Sequence, residues 1–204
     1  MFLNLAVTVA CLSVPTAGPG APGDSVTRLY HSGRTWAEFF EAAKARKPMW
    51  TDNYEAGAPD PELVARAKAI GGQWRILAVA EDWCGDSANT VPYLVRLAEQ
   101  VPGLEIRIAN SKDGRWLMER HRTPDGRAAT PTIVLLDSDG AERGCLIERP
   151  AKLRDWVSEN KPKLSDEDFQ QAKMTWYRSD RGRETVGEMV ELLEAAAKGP
   201  TTCR

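Results

Sequence analysis

Glu81-Asp82-Trp83-Cys84-Gly85-Asp86-Ser87 sets a sulfur nucleophile, three carboxylates and a hydroxyl within one short run. It follows Ile76-Leu77-Ala78-Val79-Ala80, which reads as a short buried strand. Gly85 permits a tight turn, and Ser87-Ala88-Asn89 opens a helix expected to run to residue 100. A cysteine at such a junction faces free backbone N–H groups and the positive end of a helix dipole, which favour thiolate over thiol. The three acids work the other way, because like charge beside the sulfur disfavours the anion. Solvent should screen Glu81 and Asp82, which leaves Asp86, in the same turn, as the expected main opponent.

One cysteine can attack a disulfide and form a mixed disulfide, but it cannot release that intermediate unaided; release must come from glutathione, another small thiol or a distant cysteine. Ser87 can hydrogen-bond the thiolate and cannot resolve it. The other cysteines stand at 11, 145 and 203, in no CxxC pair and no metal-ligand spacing, so neither a disulfide framework nor a zinc site is expected. Cys145 reads as a small core residue within a strand, and Cys203 as part of a tail beyond Gly199-Pro200. His31 and His121 read as surface or capping residues, and Asp52 and Glu55 as a solvated loop. With 27 basic residues against 29 acidic ones, no nucleic-acid or membrane-surface partner is implied.

Residues 2 to 14 are apolar, about the length of a signal-peptide core and too short for a usual membrane span. Thr8-Val9-Ala10-Cys11 loosely resembles a lipoprotein cleavage box, whereas no Lys or Arg precedes the run. Export and an upstream start codon are both consistent with this, so the compartment stays open between cytoplasmic and exported. Residues 1–25 are set apart from the fold. Residues 26–72 form an N-terminal helical extension, with a capping box at Thr35…Glu38 and a second helix over Pro61–Ile70; Met49–Ala58 reads as a loop or short extended piece between them. Residues 73–160 carry the order βαβαββα: strands 75–80, 104–109, 132–137 and 141–148, a short helix near 115–121 and a closing helix 151–160. Residues 161–204 add two helices. Phe169, Ala172, Trp176 and Tyr177 form the stripe of the first, and Val186, Met189, Val190 and Leu193 that of the second.

The central segment resembles the thioredoxin superfamily. Those proteins carry W-C-G-P-C where this chain has Trp83-Cys84-Gly85-Asp86-Ser87, a proline eight residues after the first cysteine, as at Pro92, and a cis-proline ahead of a strand, as in Ala129-Thr130-Pro131-Thr132. The resemblance implies an α/β thioredoxin-like fold: a four-stranded mixed sheet flanked by helices, with the extra N- and C-terminal helices added. It also implies a cis Thr130–Pro131 bond beside the thiol. Catalysis would fall to Cys84 and Ser87, and substrate contact to Trp83, Gly85, Asp86, Thr130 and Pro131. Two departures limit the carry-over: Ser87 replaces the second cysteine, and Ala78 stands where thioredoxins bury an acid. The C-G-x-S run is also similar to monothiol glutaredoxins, some of which share an iron–sulfur cluster with glutathione. Trp83 and Thr130-Pro131-Thr132 match thioredoxin instead, so no cluster, metal or other cofactor is expected. The expected activity is monothiol exchange with protein thiols, protein disulfides or glutathione adducts, with a small thiol such as glutathione as reductant. The alternative is a thioredoxin-fold module that binds peptides or proteins without turnover.

Overall fold

The computed structural model describes residues 22–199 and 201–203; the apolar stretch 2–14 lies outside them. The chain runs α1 (Pro22–Ser32), α2 (Trp36–Ala42), α3 (Lys47–Glu55), α4 (Pro61–Ile70), β1 (Trp74–Val79), α5 (Gly85–Ala88), α6 (Val91–Gln100) and β2 (Leu104–Ala109). It continues with α7 (Arg115–Arg120), β3 (Thr132–Leu136), β4 (Glu142–Ile147), α8 (Ala151–Asn160), α9 (Asp166–Asp180) and α10 (Arg183–Ala196). No described helix is long and apolar enough to cross a membrane.

The strands form one mixed sheet in the order β2-β1-β3-β4. β1 runs parallel to β2, with Ile76 opposite Ile106, and β3 is antiparallel to both its neighbours, with Ala78 opposite Ile133 and Val134 opposite Cys145. Side chains alternate across a strand, so β1 sends Ile76 and Ala78 to one face and Leu77 and Val79 to the other. Both faces are buried, which is why β1 reads as a continuous apolar run. α1 and α7 cover the Leu77 face with Val26, Leu29, Tyr30, Leu117 and Met118. α4, α6 and α10 cover the Ala78 face, joined by Phe39 and Trp50. Trp36 stacks on Tyr54 at 5.1 Å and on Phe40 at 5.4 Å, fixing α2 against α3.

Several elements differ from the sequence reading, each for a physical reason. α1 begins at Pro22, inside the segment set apart from the fold, and carries Val26 into the core. Met49–Ala58 is largely the helix α3, in which Asp52 and Glu55 lie; Pro48 sits in its first turn, where a missing N–H costs no helical bond. The helix expected over 87–100 is broken into α5 and α6. Pro92 cannot donate to the Ala88 carbonyl, and Asn53 Nδ2 takes that carbonyl at 2.8 Å instead. On α9, Phe169 and Tyr177 of the expected stripe are buried, Ala172 and Trp176 are only half-buried, and Lys173 joins the buried face.

The largest correction is at the cysteines. Cys145 is bonded to Cys203, 58 residues along, so neither is a free thiol. Gly144 makes the approach feasible. With φ at +153°, it lies against Thr201 and Leu192 where a Cβ would overlap both, and Thr201 N–H donates to the Arg143 carbonyl at 3.1 Å. His121 is half-buried rather than a surface residue: Nε2 lies 2.9 Å from Glu142 and Nδ1 3.2 Å from Cys203 Sγ. The donor atoms of His121, Cys145 and Cys203 share a sphere of metal-site size, but the disulfide occupies both sulfurs.

Closing so long a loop should stabilise the fold by restricting the unfolded chain. Cys203→Ser is expected to lower the free energy of unfolding in a urea titration under non-reducing conditions by about 2–4 kcal/mol. An unchanged midpoint would mean that the tail contributes nothing to the folded state.

Candidate active site

Cys84 caps the four-residue helix α5 and is the free cysteine among the described residues. Its thiol donates to the Thr130 carbonyl at 3.3 Å, and the Ser87 N–H donates to its sulfur at 3.4 Å. The Thr130–Pro131 bond is cis, as the resemblance implies. Thr132 Oγ1, buried beneath it, donates to the Ala129 carbonyl at 2.8 Å. Trp83 is 59% exposed beside the thiol, an unusual exposure for so large an apolar ring. Because the helix breaks after Ala88, local amide groups rather than a long aligned dipole face the sulfur.

The three acids of the motif are all engaged elsewhere. Glu81 accepts from Ser111 N at 2.7 Å and Ser111 Oγ at 2.6 Å. Asp82 accepts from Lys44 N at 2.6 Å and Ala45 N at 3.0 Å. Burial works against the ionised Asp82, yet these amides and that of Trp83 outweigh it and hold its carboxyl below the usual range. Asp86 departs most from expectation. It is buried, and its carboxylate accepts from Tyr177 Oη at 2.8 Å, Lys173 Nζ at 3.2 Å and Arg149 at 3.1 Å. Its charge is therefore compensated inside the protein instead of opposing the thiolate, and it is a structural anchor rather than an open substrate contact. Burial, followed by the charge of Asp86, pushes the Tyr177 phenol well above its ordinary value, so Tyr177 donates and does not ionise.

The terminal extensions hold this turn from both sides. Trp50 Nε1 donates to the Asp82 carbonyl at 3.0 Å and Arg46 Nε to the Trp83 carbonyl at 2.6 Å. Asn89 Nδ2 donates to the Gly85 carbonyl at 2.8 Å. Cys84, Trp83, Thr130 and Pro131 thus come together as the sequence suggested, with Gly85 at the turn. Ser87 is fully buried, and its hydroxyl has no hydrogen-bond partner among the described residues; its backbone amide, not its side chain, reaches the sulfur. Arg46, Arg149, Lys173 and Tyr177 were missed from sequence. The one local signal was Lys173 and Tyr177, i and i+4 on α9, which puts Lys173 on the same helix face as Tyr177 of the apolar stripe.

A family profile described as Thioredoxin matches residues 33–169, which is more than half of the chain. The chain belongs to the thioredoxin family. Two solved structures share the fold. A protein of unknown function from Pseudomonas aeruginosa superposes with a TM-score of 0.69 at 21% identity, covering 83% of this chain and 97% of that one. An HIV epitope-scaffold protein gives 0.66 at 19% identity, covering 82% and 96%. No curated protein matches. Against the thioredoxin pattern quoted above, the second thiol is the buried Ser87 and the buried acid is Ala78, which is fully enclosed beside Ile133. The partners of Asp86 come largely from α9, most of which lies beyond the matched residues.

Removing the Asp86 charge should expose the energetics of this cluster. Asp86→Ala leaves Lys173 and Arg149 buried without their shared anion and is expected to cost about 3–5 kcal/mol. Tyr177→Phe removes one charged-acceptor hydrogen bond and should cost about 1.5–3 kcal/mol. Chemical denaturation of both variants checks the order; an equal loss would mean that the cations do not depend on Asp86.

Proposed function

We propose that Cys84 performs monothiol thiol–disulfide exchange on protein disulfides or mixed disulfides with small thiols. One observation carries the reading: a free, half-buried thiol donates to the carbonyl ahead of a cis-proline, beside an exposed tryptophan. As thiolate, Cys84 attacks one sulfur of RS–SR′, forming Cys84–S–S–R and expelling R′S⁻, which takes up a proton. The Ser87 N–H remains as a donor to the sulfur anion. A second thiol, R″SH of glutathione type, then attacks the mixed disulfide as its thiolate, forming RS–SR″ and returning the Cys84 thiolate. The sum is RS–SR′ + R″SH → RS–SR″ + R′SH, a balanced exchange that uses neither metal nor cofactor. Trp83, Gly85 and the Thr130-Pro131 backbone would line the approach of the disulfide.

A binding module without turnover would use the same surface. It is favoured by the loss of both parts of the resolving half, since Ser87 and Ala78 are buried groups unable to accept a thiol proton as a carboxylate does. Site-resolved mass spectrometry after iodoacetamide at neutral pH separates the two readings. Exchange predicts faster labelling of Cys84 than of a free thiol, a glutathione adduct on Cys84 from oxidised glutathione, and its clearance by reduced glutathione. Slow labelling and no adduct would favour the binding module.

Ser87→Cys adds a sharper test, because it restores the one-turn spacing of a redox dithiol. The variant should form a Cys84 disulfide under mild oxidant and reduce a protein disulfide by dithiothreitol shuttling. Without a carboxylate at Ala78, the rate should trail a true dithiol enzyme by the ~10²–10⁴ typical of general-base assistance. An intact fold that forms no such disulfide would count against thioredoxin-like geometry at the thiol.

A further inference from the structure

We infer that the cleft between α3 and α9 receives carboxylate groups flanking the substrate disulfide, so that the preferred partners of Cys84 are anionic disulfides. The inference rests on the exchange reading of Cys84 and adds the substrate class. The cleft has a volume of about 710 Å³, with Arg46, Arg178 and Arg181 around it, Met49 and Met174 as apolar walls, and Asp52 as the opposing carboxylate. It abuts the reactive turn: a Cβ on Gly85 would lie 3.9 Å from Arg46 Cζ and 3.9 Å from Met174 Cε.

Three arginines without a carboxylate partner among the described residues share this one cleft. Eight arginines form ion pairs with carboxylates; Arg46, Arg178 and Arg181, like Arg28, Arg34, Arg75, Arg107, Arg154 and Arg183, form none among the described residues, and these three line the same cleft. Arg46 is held by its Nε bond to the Trp83 carbonyl, and no acceptor among the described residues takes its terminal nitrogens. Among the described residues, Arg178 donates only to the Thr175 hydroxyl, at 2.9 Å. The nearby acids Glu81, Asp82 and Asp86 are already bonded to their own partners and do not fill the arginines' need. Three guanidiniums against one carboxylate, on low-dielectric walls, focus a positive field beside the thiol, and guanidinium forks match carboxylates in geometry.

Two aromatic disulfides that differ in charge test the inference on the full-length protein. 5,5′-Dithiobis(2-nitrobenzoate) carries carboxylates and 4,4′-dithiodipyridine is neutral. Each reacts as Cys84–S⁻ + ArS–SAr → Cys84–S–SAr + ArS⁻, oxidising the protein sulfur and releasing a coloured thiolate or its tautomer. Rates measured with Cys84→Ser are subtracted to isolate Cys84. The ratio of anionic to neutral rate should fall about fivefold in the double variant Arg178→Gln/Arg181→Gln, and by a similar factor in the unaltered protein as salt rises from 10 mM to about 1 M. A ratio insensitive to both salt and variant overturns the inference while leaving exchange intact. If neither disulfide reacts, the exchange reading falls, and binding of unreactive 5-(methylthio)-2-nitrobenzoate to Cys84→Ser decides the cleft separately. Binding weakened in the double variant supports an anion site; no binding overturns it.

Discussion

A carboxylate buried two residues from the Cys84 sulfur governs how this molecule is put together. Removing Asp86 from water costs several kcal/mol, and only charged or hydroxyl donors at hydrogen-bond distance can offset that. Those donors cannot come from the turn itself, which is too short to fold back on its own side chain. They come from Lys173 and Tyr177 on α9 and from Arg149 after β4. α9 must therefore lie against the underside of the Cys84 turn, and the stack of Trp156 on Phe169, at 6.0 Å between ring centres, helps fix it there. Arg149 in turn pairs with the buried Glu148, which Arg127 also holds, so the chain leading to Pro131 is tied into the same cluster.

The N-terminal extension performs the complementary task from the opposite side. The Lys44 and Ala45 amides, Arg46 and Trp50 grip the Asp82-Trp83 pair, and Asn53 satisfies the carbonyl that Pro92 leaves without a donor. Few of these contacts are strong singly. Their effect is geometric: they hold the Cys84 thiol toward Thr130 while leaving Trp83 in solvent. The outcome is one exposed ring and one half-buried sulfur carried on a backbone bonded from both sides.

Much of the fold was legible because its signals are local. The apolar run of β1, the Thr35…Glu38 capping box and the helix over Pro61–Ile70 each depend on residues a few positions apart, and each stands where the sequence put it. The cysteine turn and its cis-proline were legible through family resemblance, since nothing in local chemistry joins residue 84 to residue 130. What stayed hidden depends on distance along the chain. The Cys145–Cys203 bond spans 58 residues, and Asp86 finds Tyr177 91 residues away. Lys173 was passed over because a charged residue on a helix ordinarily belongs on the wet face. Here its amine meets a buried anion, and the usual rule reverses.

The anchoring of Asp86 ties the motif to distant parts of the chain in heredity as well as in space. In the thioredoxin pattern the corresponding position is proline, which carries no charge. A lineage passing from one form to the other would have to change positions 86, 149, 173 and 177 nearly in concert, because losing Asp86 first strands two buried cations and losing its donors first leaves a buried carboxylate short of partners. Exchanging the short loop alone between two members of the family would inherit the same conflict. The Cys84-turn signature of this protein is thus a property of four separated positions, and its presence in a relative should travel with the C-terminal helix that completes it.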